Sequence, residues 1–312
     1  MTDILKKLQE GDRRALSRLI TLVENQSDKL AEYMSHIHGA IGDAYYLGVT
    51  GPPGAGKSTL VNGLIAQARK DHKKVGVVAV DPSSPFSGGA LLGDRIRMQD
   101  HAADTGVFIR SLGSRGAHGG ISRATRDVAR LMDAAGFDWV IIETVGVGQT
   151  ELDIMELAQT TVVVLTPESG DTIQTMKAGL LEVADIFVVN KADREGADKI
   201  VLELRAMLEL APRKEWEVPV LKTHAVENGG IAELYTTLNA HHQFIQKSSS
   251  YQERAKTLRQ AELEEILREQ WGRWARDELA GNKKLGKILE EVRAGEISAY
   301  EGALQIFPKL VK

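Results

Sequence analysis

Gly51-Pro52-Pro53-Gly54-Ala55-Gly56-Lys57-Ser58-Thr59 decides how this chain folds. The stretch fits G-x-x-x-x-G-K-[ST], the phosphate-binding loop (P-loop) pattern. An apolar run, Tyr45-Tyr46-Leu47-Gly48-Val49, leads into it, and a helical pattern carrying Leu60, Val61, Leu64 and Ile65 leads out. Strand, loop, helix is the order in which the motif has meaning. The glycines Gly51, Gly54 and Gly56, with Pro52 and Ala55 between them, let backbone N–H groups of the loop point into one small concavity. The helix that starts there adds a partial positive charge. Lys57 is placed to neutralise β- and γ-phosphates, the Ser58 hydroxyl to ligate Mg²⁺, and Thr59 to complete the cradle.

Outward from this loop the pattern repeats. Short runs rich in valine and isoleucine lie at 45–50, 75–80, 139–142, 161–165, 186–189 and 218–221, with helical stretches between them. Continuous apolar runs suit strands buried on both faces, and their alternation with helices implies a doubly wound, mostly parallel sheet, an α/β fold. Residues 120–136 give one intervening helix, with Ile121, Ala124, Val128, Leu131, Met132 and Ala135 on one face and Gly136 as C-cap. Before the first strand, Leu5 and Leu8, then Leu16, Leu19, Ile20 and Val23, recur at helical spacing, with Asp12 as an N-cap. After about residue 245 the strands stop. Lys247-Ser248-Ser249-Ser250 reads as a polar hinge, and two or three helices follow, carrying Leu258, Leu263, Ile266, Leu267, Trp271 and Trp274. Such a segment is too small for a sizeable core of its own. The expected division is an N-terminal helical extension at 1–43, a P-loop domain at 44–246 and a C-terminal helical extension at 247–312.

Three further elements fall at strand ends, where open α/β sheets bind ligands. Asn190-Lys191-Ala192-Asp193 follows the run 186–189 and fits N-K-x-D, a guanine-recognition pattern. The Asp193 carboxylate can accept from guanine N1–H and the 2-amino group together. The Asn190 amide can bond the O6/N7 side, and the Lys191 stem can cover the ring. Adenine has neither donor, so it would leave Asp193 unsatisfied at a cost of about 1–3 kcal/mol. Glu143 ends the run Trp139-Val140-Ile141-Ile142, the Walker B arrangement that helps hold Mg²⁺, and Gly146 follows as a backbone donor for the γ-phosphate. Asp81 ends the run 75–80 and is a candidate to orient metal-bound or attacking water. Lys57, Asp81, Glu143 and, for water, Gln149 are the candidate catalytic residues. About 85 residues separate Lys57 from Glu143. That interval holds glycine-rich pieces at 87–89, 92–94 and 113–120, candidates for mobile switch or partner-contact segments, and the arginines Arg95, Arg97, Arg110 and Arg115.

Composition removes several function classes. A net charge of −4 gives no electrostatic reason to expect nucleic acid or an anionic membrane. There is no cysteine, which excludes disulfides, thiolate metal sites and cysteine nucleophiles. No run reaches the roughly 18 apolar residues of a spanning helix, and the first residues lack the apolar core of a signal peptide. A cytoplasmic protein is the expectation.

With these residues in hand, the chain resembles the MeaB/ArgK family of P-loop GTPases, relatives of the human methylmalonic aciduria type A protein. The resemblance rests on GPPGAGKST at 51–59, VDPSSPFSGGALLGDRIRM at 80–98, HGGIS at 118–122, ETVGVGQTE at 143–151 and KAGLLEVADIFVVNKAD at 177–193. It implies binding of GTP/GDP and Mg²⁺, slow GTP hydrolysis, and a homodimer through the C-terminal helices. It also implies a chaperone role toward an adenosylcobalamin-dependent acyl-CoA mutase, notably methylmalonyl-CoA mutase. By the same resemblance Ser58, Asp81, Asp94 and Glu143 form the Mg²⁺ and switch network. Val145–Glu151 is a switch loop and Glu168–Lys177 a second, partner-responsive loop. One departure stands out. Such GTPases usually carry Ser-Ala after the sixth strand, where backbone N–H groups bind guanine O6; this chain has Thr223-His224-Ala225. The N–H groups of His224 and Ala225 remain, and the serine's support of the loop does not.

Other readings share parts of this pattern. A nickel-insertion GTPase would need soft ligands, and the chain has no cysteine and no compact cluster among its eight histidines. An ATP-dependent kinase linked to lysine/arginine/ornithine transport is opposed by the guanine motif. A non-hydrolysing nucleotide-dependent scaffold would share every motif.

Overall fold

The computed structural model describes residues 2–42, 44–81, 101, 103–113, 123–144, 154–169, 182–212 and 215–310. They divide into two units, Met1–Lys247 and Ser248–Lys312. The first is built on strands β1 (Tyr45–Thr50), β2 (Val75–Asp81), β3 (Val107–Gly113), β4 (Trp139–Thr144), β5 (Thr160–Leu165), β6 (Ile186–Val189) and β7 (Val220–Lys222). They form one sheet in the order β3-β2-β4-β1-β5-β6-β7, and every neighbouring pair is parallel. Parallel neighbours cannot be joined by hairpins, so helices carry the chain across. The described ones include Lys57–Lys70 after β1, Arg123–Ala134 before β4 and Ala197–Leu210 after β6.

Both faces of the sheet are covered, which is why its central strands read as unbroken apolar runs: β1, β4, β5 and β6 are buried at every position. On one side Val78, Val80, Val140 and Ile142 pack with Val128, Leu131 and Met132 of Arg123–Ala134 and with Leu8, Leu16, Leu19, Ile20 and Val23. The N-terminal helices Thr2–Gln9, Arg13–Glu24 and Leu30–Ile37 therefore share the sheet's own core. Asp12 caps the second of them, accepting from Arg14 and Ala15 N–H at 2.7 and 2.8 Å. The helix Arg123–Ala134 stops at Gly136, where Gly136 N–H returns to Asp133 O at 2.8 Å and Phe137 N–H to Met132 O at 3.3 Å, a Schellman closure. Elsewhere in the fold Val163, Leu165, Phe187 and Val189 pack with Ile200 and Leu204. β3 is the strand absent from the apolar runs. It lies at the sheet edge and is only partly buried through Ile109, Arg110 and Ser111, so its sequence carries no continuous hydrophobic signal.

The second unit consists of the helices Ser249–Gly281, Lys283–Arg293 and Ala299–Leu310. Ser248 caps the first, its hydroxyl accepting from Tyr251 N–H. That 33-residue helix has no fully buried residue. Leu263, Leu267, Trp271 and Trp274 remain 40–57% exposed along it, and the two indole rings meet edge to face at 5.3 Å. Among the described residues, no helix is long and apolar enough to cross a membrane.

Candidate nucleotide site

The sheet order fixes where a ligand can sit. β1 lies between β4 and β5, and the chain leaves β1 toward β2 on one side but crosses from β4 to β5 on the other. A crevice opens at such a reversal, outside the C-terminal strand ends. It is a cleft of about 410 Å³, with Lys57, Ser58 and Glu143 at one end and Asn190, Asp193 and His224 at the other. Motifs more than a hundred residues apart thus share one cavity of small-ligand size.

At the first end the loop has no room for a side chain at Gly51 or Gly56. Gly56 has φ +87°, and a Cβ there would sit 2.3 Å from Asn190 Nδ2; a Cβ on Gly51 would sit 2.0 Å from the Val164 carbonyl. Lys57 is buried, and its ammonium donates to the Gly51 and Pro52 carbonyls at 2.7 and 3.0 Å, which holds it over the loop. Ser58, also buried, donates its hydroxyl to Glu143 Oε1 at 2.6 Å. Glu143 is delivered there by the register of β4, opposite Val49 of β1 and Ala79 of β2. A hydroxyl and a carboxylate in contact at a helix N-terminus are hard oxygen donors suited to Mg²⁺, which takes one or two carboxylates and fills the rest with phosphate and water. Among the described residues no group of three His, Cys, Asp or Glu is arranged for a metal, so an all-protein cage is absent there.

At the other end Asn190 is a brace. Its Nδ2 donates to Ala55 O of the P-loop at 2.8 Å, while its Oδ1 accepts from Thr223 Oγ1 at 3.0 Å and from Ala225 N–H at 3.1 Å. It is almost fully buried. The sequence reading aimed this amide at the base; the structure ties three segments together with it, and one Nδ2 hydrogen lies beyond these bonds. Thr223, not singled out as a site residue, supplies the hydroxyl that supports the loop after β7. Its position directly after the last strand is the signal that could have found it. Lys191 adopts φ +57°, a left-handed conformation rare outside glycine. Asp193 and His224 line the cleft, and the Ala225 N–H is bound to Asn190.

Arg194, next to the motif, was also not foreseen. It pairs with Glu168, just after β5, and its hydrogen bond is the main reason the Glu168 carboxyl is lowered to about 2. Asp81 ends β2 with its backbone opposite Gly113 of β3; its side chain lies outside the described residues. So do Asp94, Gly146 and Gln149, the segments 87–94, 114–120 and 145–151, Arg95, Arg97 and Arg115, and residues 170–177 of the second loop. Arg110 is paired with Glu24.

Comparison with known proteins gives a consistent set of relatives. The family model described as "Methylmalonyl Co-A mutase-associated GTPase MeaB" matches residues 16–277. The Escherichia coli GTPase ArgK is 35% identical, across 98% of this chain and 95% of its own. The mitochondrial methylmalonic aciduria type A homolog of Mus musculus is 34% identical across 74% of this chain and 60% of its own. Among solved structures, one described as LAO/AO transport system kinase superposes with a TM-score of 0.70 at 28% identity, across 100% of this chain and 97% of that one. HypB from Helicobacter pylori in complex with nickel, at TM-score 0.50 and 17% identity over 70% of this chain and 95% of its own, shares the fold alone. The doubly wound sheet, the P-loop and the span of these matches lead to one assignment: the chain belongs to the MeaB/ArgK family of P-loop GTPases.

Proposed function

We propose that the chain binds GTP with Mg²⁺ in this cleft, hydrolyses it slowly, and uses its nucleotide state to assemble or protect an adenosylcobalamin-dependent acyl-CoA mutase, methylmalonyl-CoA mutase first among them. The observation that carries the nucleotide part is that Lys57, Ser58 and Glu143 share one cleft with Asn190 and Asp193. Lys57 and the loop N–H groups hold phosphate. Asp193 reads the guanine edge, with Asn190 fixing the distance between phosphate cradle and base pocket. Ser58 and Glu143 are the described residues that would hold Mg²⁺, with Asp81 and Asp94 completing its surroundings. When bound, the ion neutralises charge between the β- and γ-phosphates. Among the described residues no side chain at the phosphate end is a strong general base, so turnover rests on positioning and charge. Gln149 is the residue proposed to orient water.

The mutase part rests on family membership. The homodimer is supported by the exposed stripe Leu263, Leu267, Trp271 and Trp274, an apolar face suited to a second copy. The test uses the full chain and the adenosylcobalamin mutase of the same cell. Complex formation, GTP hydrolysis and cobalamin loading are measured with GDP and with a non-hydrolysable GTP analogue. The expected result is a complex that prefers one nucleotide state and changes turnover or loading. No complex in either state, with neither rate responding, refutes the chaperone reading and leaves the GTPase.

A further inference from the structure

His224 stands where its ring faces two carboxylates. Nε2 lies 3.5 Å from Asp193 Oδ1, and Nδ1 lies 3.4 Å from Glu227 Oε2. The backbone beneath it is fixed. His224 N–H donates to Gly229 O at 2.9 Å, and the His224 carbonyl accepts from Gly229 N–H at 3.0 Å and Glu227 N–H at 3.1 Å. The next residue, Ala225, is bound through its N–H to Asn190. The side chain is 29% exposed and lines the cleft beside Asp193. Lys191 and Arg194 line the same end of the cleft, and Arg194 is engaged by Glu168.

We propose that His224 is a positioning residue for Asp193 and that it makes guanine-nucleotide affinity depend on pH. This rests on the reading of Asp193 as the guanine-recognising carboxylate. A neutral imidazole has one N–H and can donate to only one of its two carboxylate neighbours. An imidazolium has two and donates to both. The doubly donating ring holds Asp193 by a charge-assisted contact on Oδ1 and leaves the carboxylate's other lone pairs for guanine N1–H and the 2-amino group. A carboxylate held before the base arrives loses less freedom on binding. Histidine is the side chain that changes charge in the physiological range. Affinity therefore falls as pH rises and the ring loses its second proton. By linkage, bound GDP raises the ring's proton affinity by the same factor.

The test measures the Kd of GDP from pH 5.5 to 8.5 for the full wild-type chain, His224→Gln and His224→Ala, with ADP alongside. Titration of the nucleotide's own phosphate is common to all three, so the ratio of variant to wild type isolates the ring. Because both partners are partly exposed, the wild-type Kd is expected to rise about threefold to fivefold more than that of His224→Gln across this range. The His224 ring resonance is expected to titrate at higher pH with GDP bound. A His224→Gln profile that superposes on the wild type, or a ring titration unmoved by GDP, overturns the proposal. If the wild type prefers GDP over ADP while either of those holds, the positioning role fails and the guanine reading stands. If GDP and ADP bind equally, the guanine reading itself fails.

Discussion

Replacing Asn190 with alanine removes the brace between the P-loop and the segment after β7. Three buried hydrogen bonds disappear: Nδ2 to Ala55 O at 2.8 Å, Thr223 Oγ1 to Oδ1 at 3.0 Å, and Ala225 N–H to Oδ1 at 3.1 Å. At about 1 kcal/mol net for each, the loss is about 3 kcal/mol. For a unit of this size that lowers the melting temperature by about 6–12 °C. The effect belongs to the nucleotide-free protein, because every partner lies within the chain. Re-ordering the P-loop on binding then costs the worth of about one such bond, roughly fivefold in Kd for GDP. Asn190→Asp is the informative companion. It keeps two acceptor contacts but places an oxygen against Ala55 O, so it destabilises at least as much as alanine. Scanning calorimetry of the nucleotide-free variants and calorimetric titration with GDP read both numbers. An Asn190→Ala protein that melts within about 1 °C of wild type, yet binds GDP weakly, refutes the brace and returns the amide to direct base contact.

The other expectations are briefer. Asp193→Asn weakens GTP binding and improves binding of xanthine nucleotides, since the new amide donates to the 2-oxo group; unchanged base preference in competition assays contradicts it. Gly56→Ala forces a Cβ to 2.3 Å from Asn190 Nδ2 at φ +87°; melting is expected to fall by the equivalent of about 1–3 kcal/mol, and an unchanged melting temperature contradicts the steric reasoning. Lys57→Ala abolishes GTP turnover, as does removal of Mg²⁺ by EDTA; undiminished phosphate release in either case contradicts the phosphate-end assignment. The Glu168 carboxyl is depressed to about 2, chiefly by its hydrogen bond from Arg194. Its stabilising effect is therefore complete above the ordinary carboxylate range, constant from pH 5 to 8, and lost only as pH falls toward 2. In Arg194→Ala its carbon resonance is expected to titrate near the ordinary glutamate value, and titration still near 2 contradicts the pairing.

The sheet was largely legible because its central strands are buried on both faces and so spell unbroken apolar runs. β3 was not, because an edge strand carrying Arg110 and Ser111 has no such run. The two ends of the cleft were legible as motifs, since phosphate and guanine each require particular groups at a strand end. Their mutual arrangement was not. Nothing in Asn190-Lys191-Ala192-Asp193 says that the Asn190 amide reaches back to Ala55, because that contact exists only once β1 and β6 are placed either side of β5. The same holds for the His224 ring; sequence marked the residue as a departure from serine and for its backbone N–H. Its position beside Asp193 and Glu227 comes from the tight turn closed by Gly229. The reversed charges at Arg194 and Glu168 lie 26 residues apart and carry no local pattern at all.

The most direct test of the central claim is calorimetric titration of the wild-type chain with GDP and with ADP, both in Mg²⁺. Adenine brings no N1–H and no 2-amino group to the base-facing lone pairs of Asp193, a loss of about 1–3 kcal/mol relative to guanine. GDP is therefore expected to bind at least about fivefold more tightly than ADP. Equal affinities, or a preference for ADP, contradict the assignment of Asn190–Asp193 as the base-reading end of a guanine-nucleotide site.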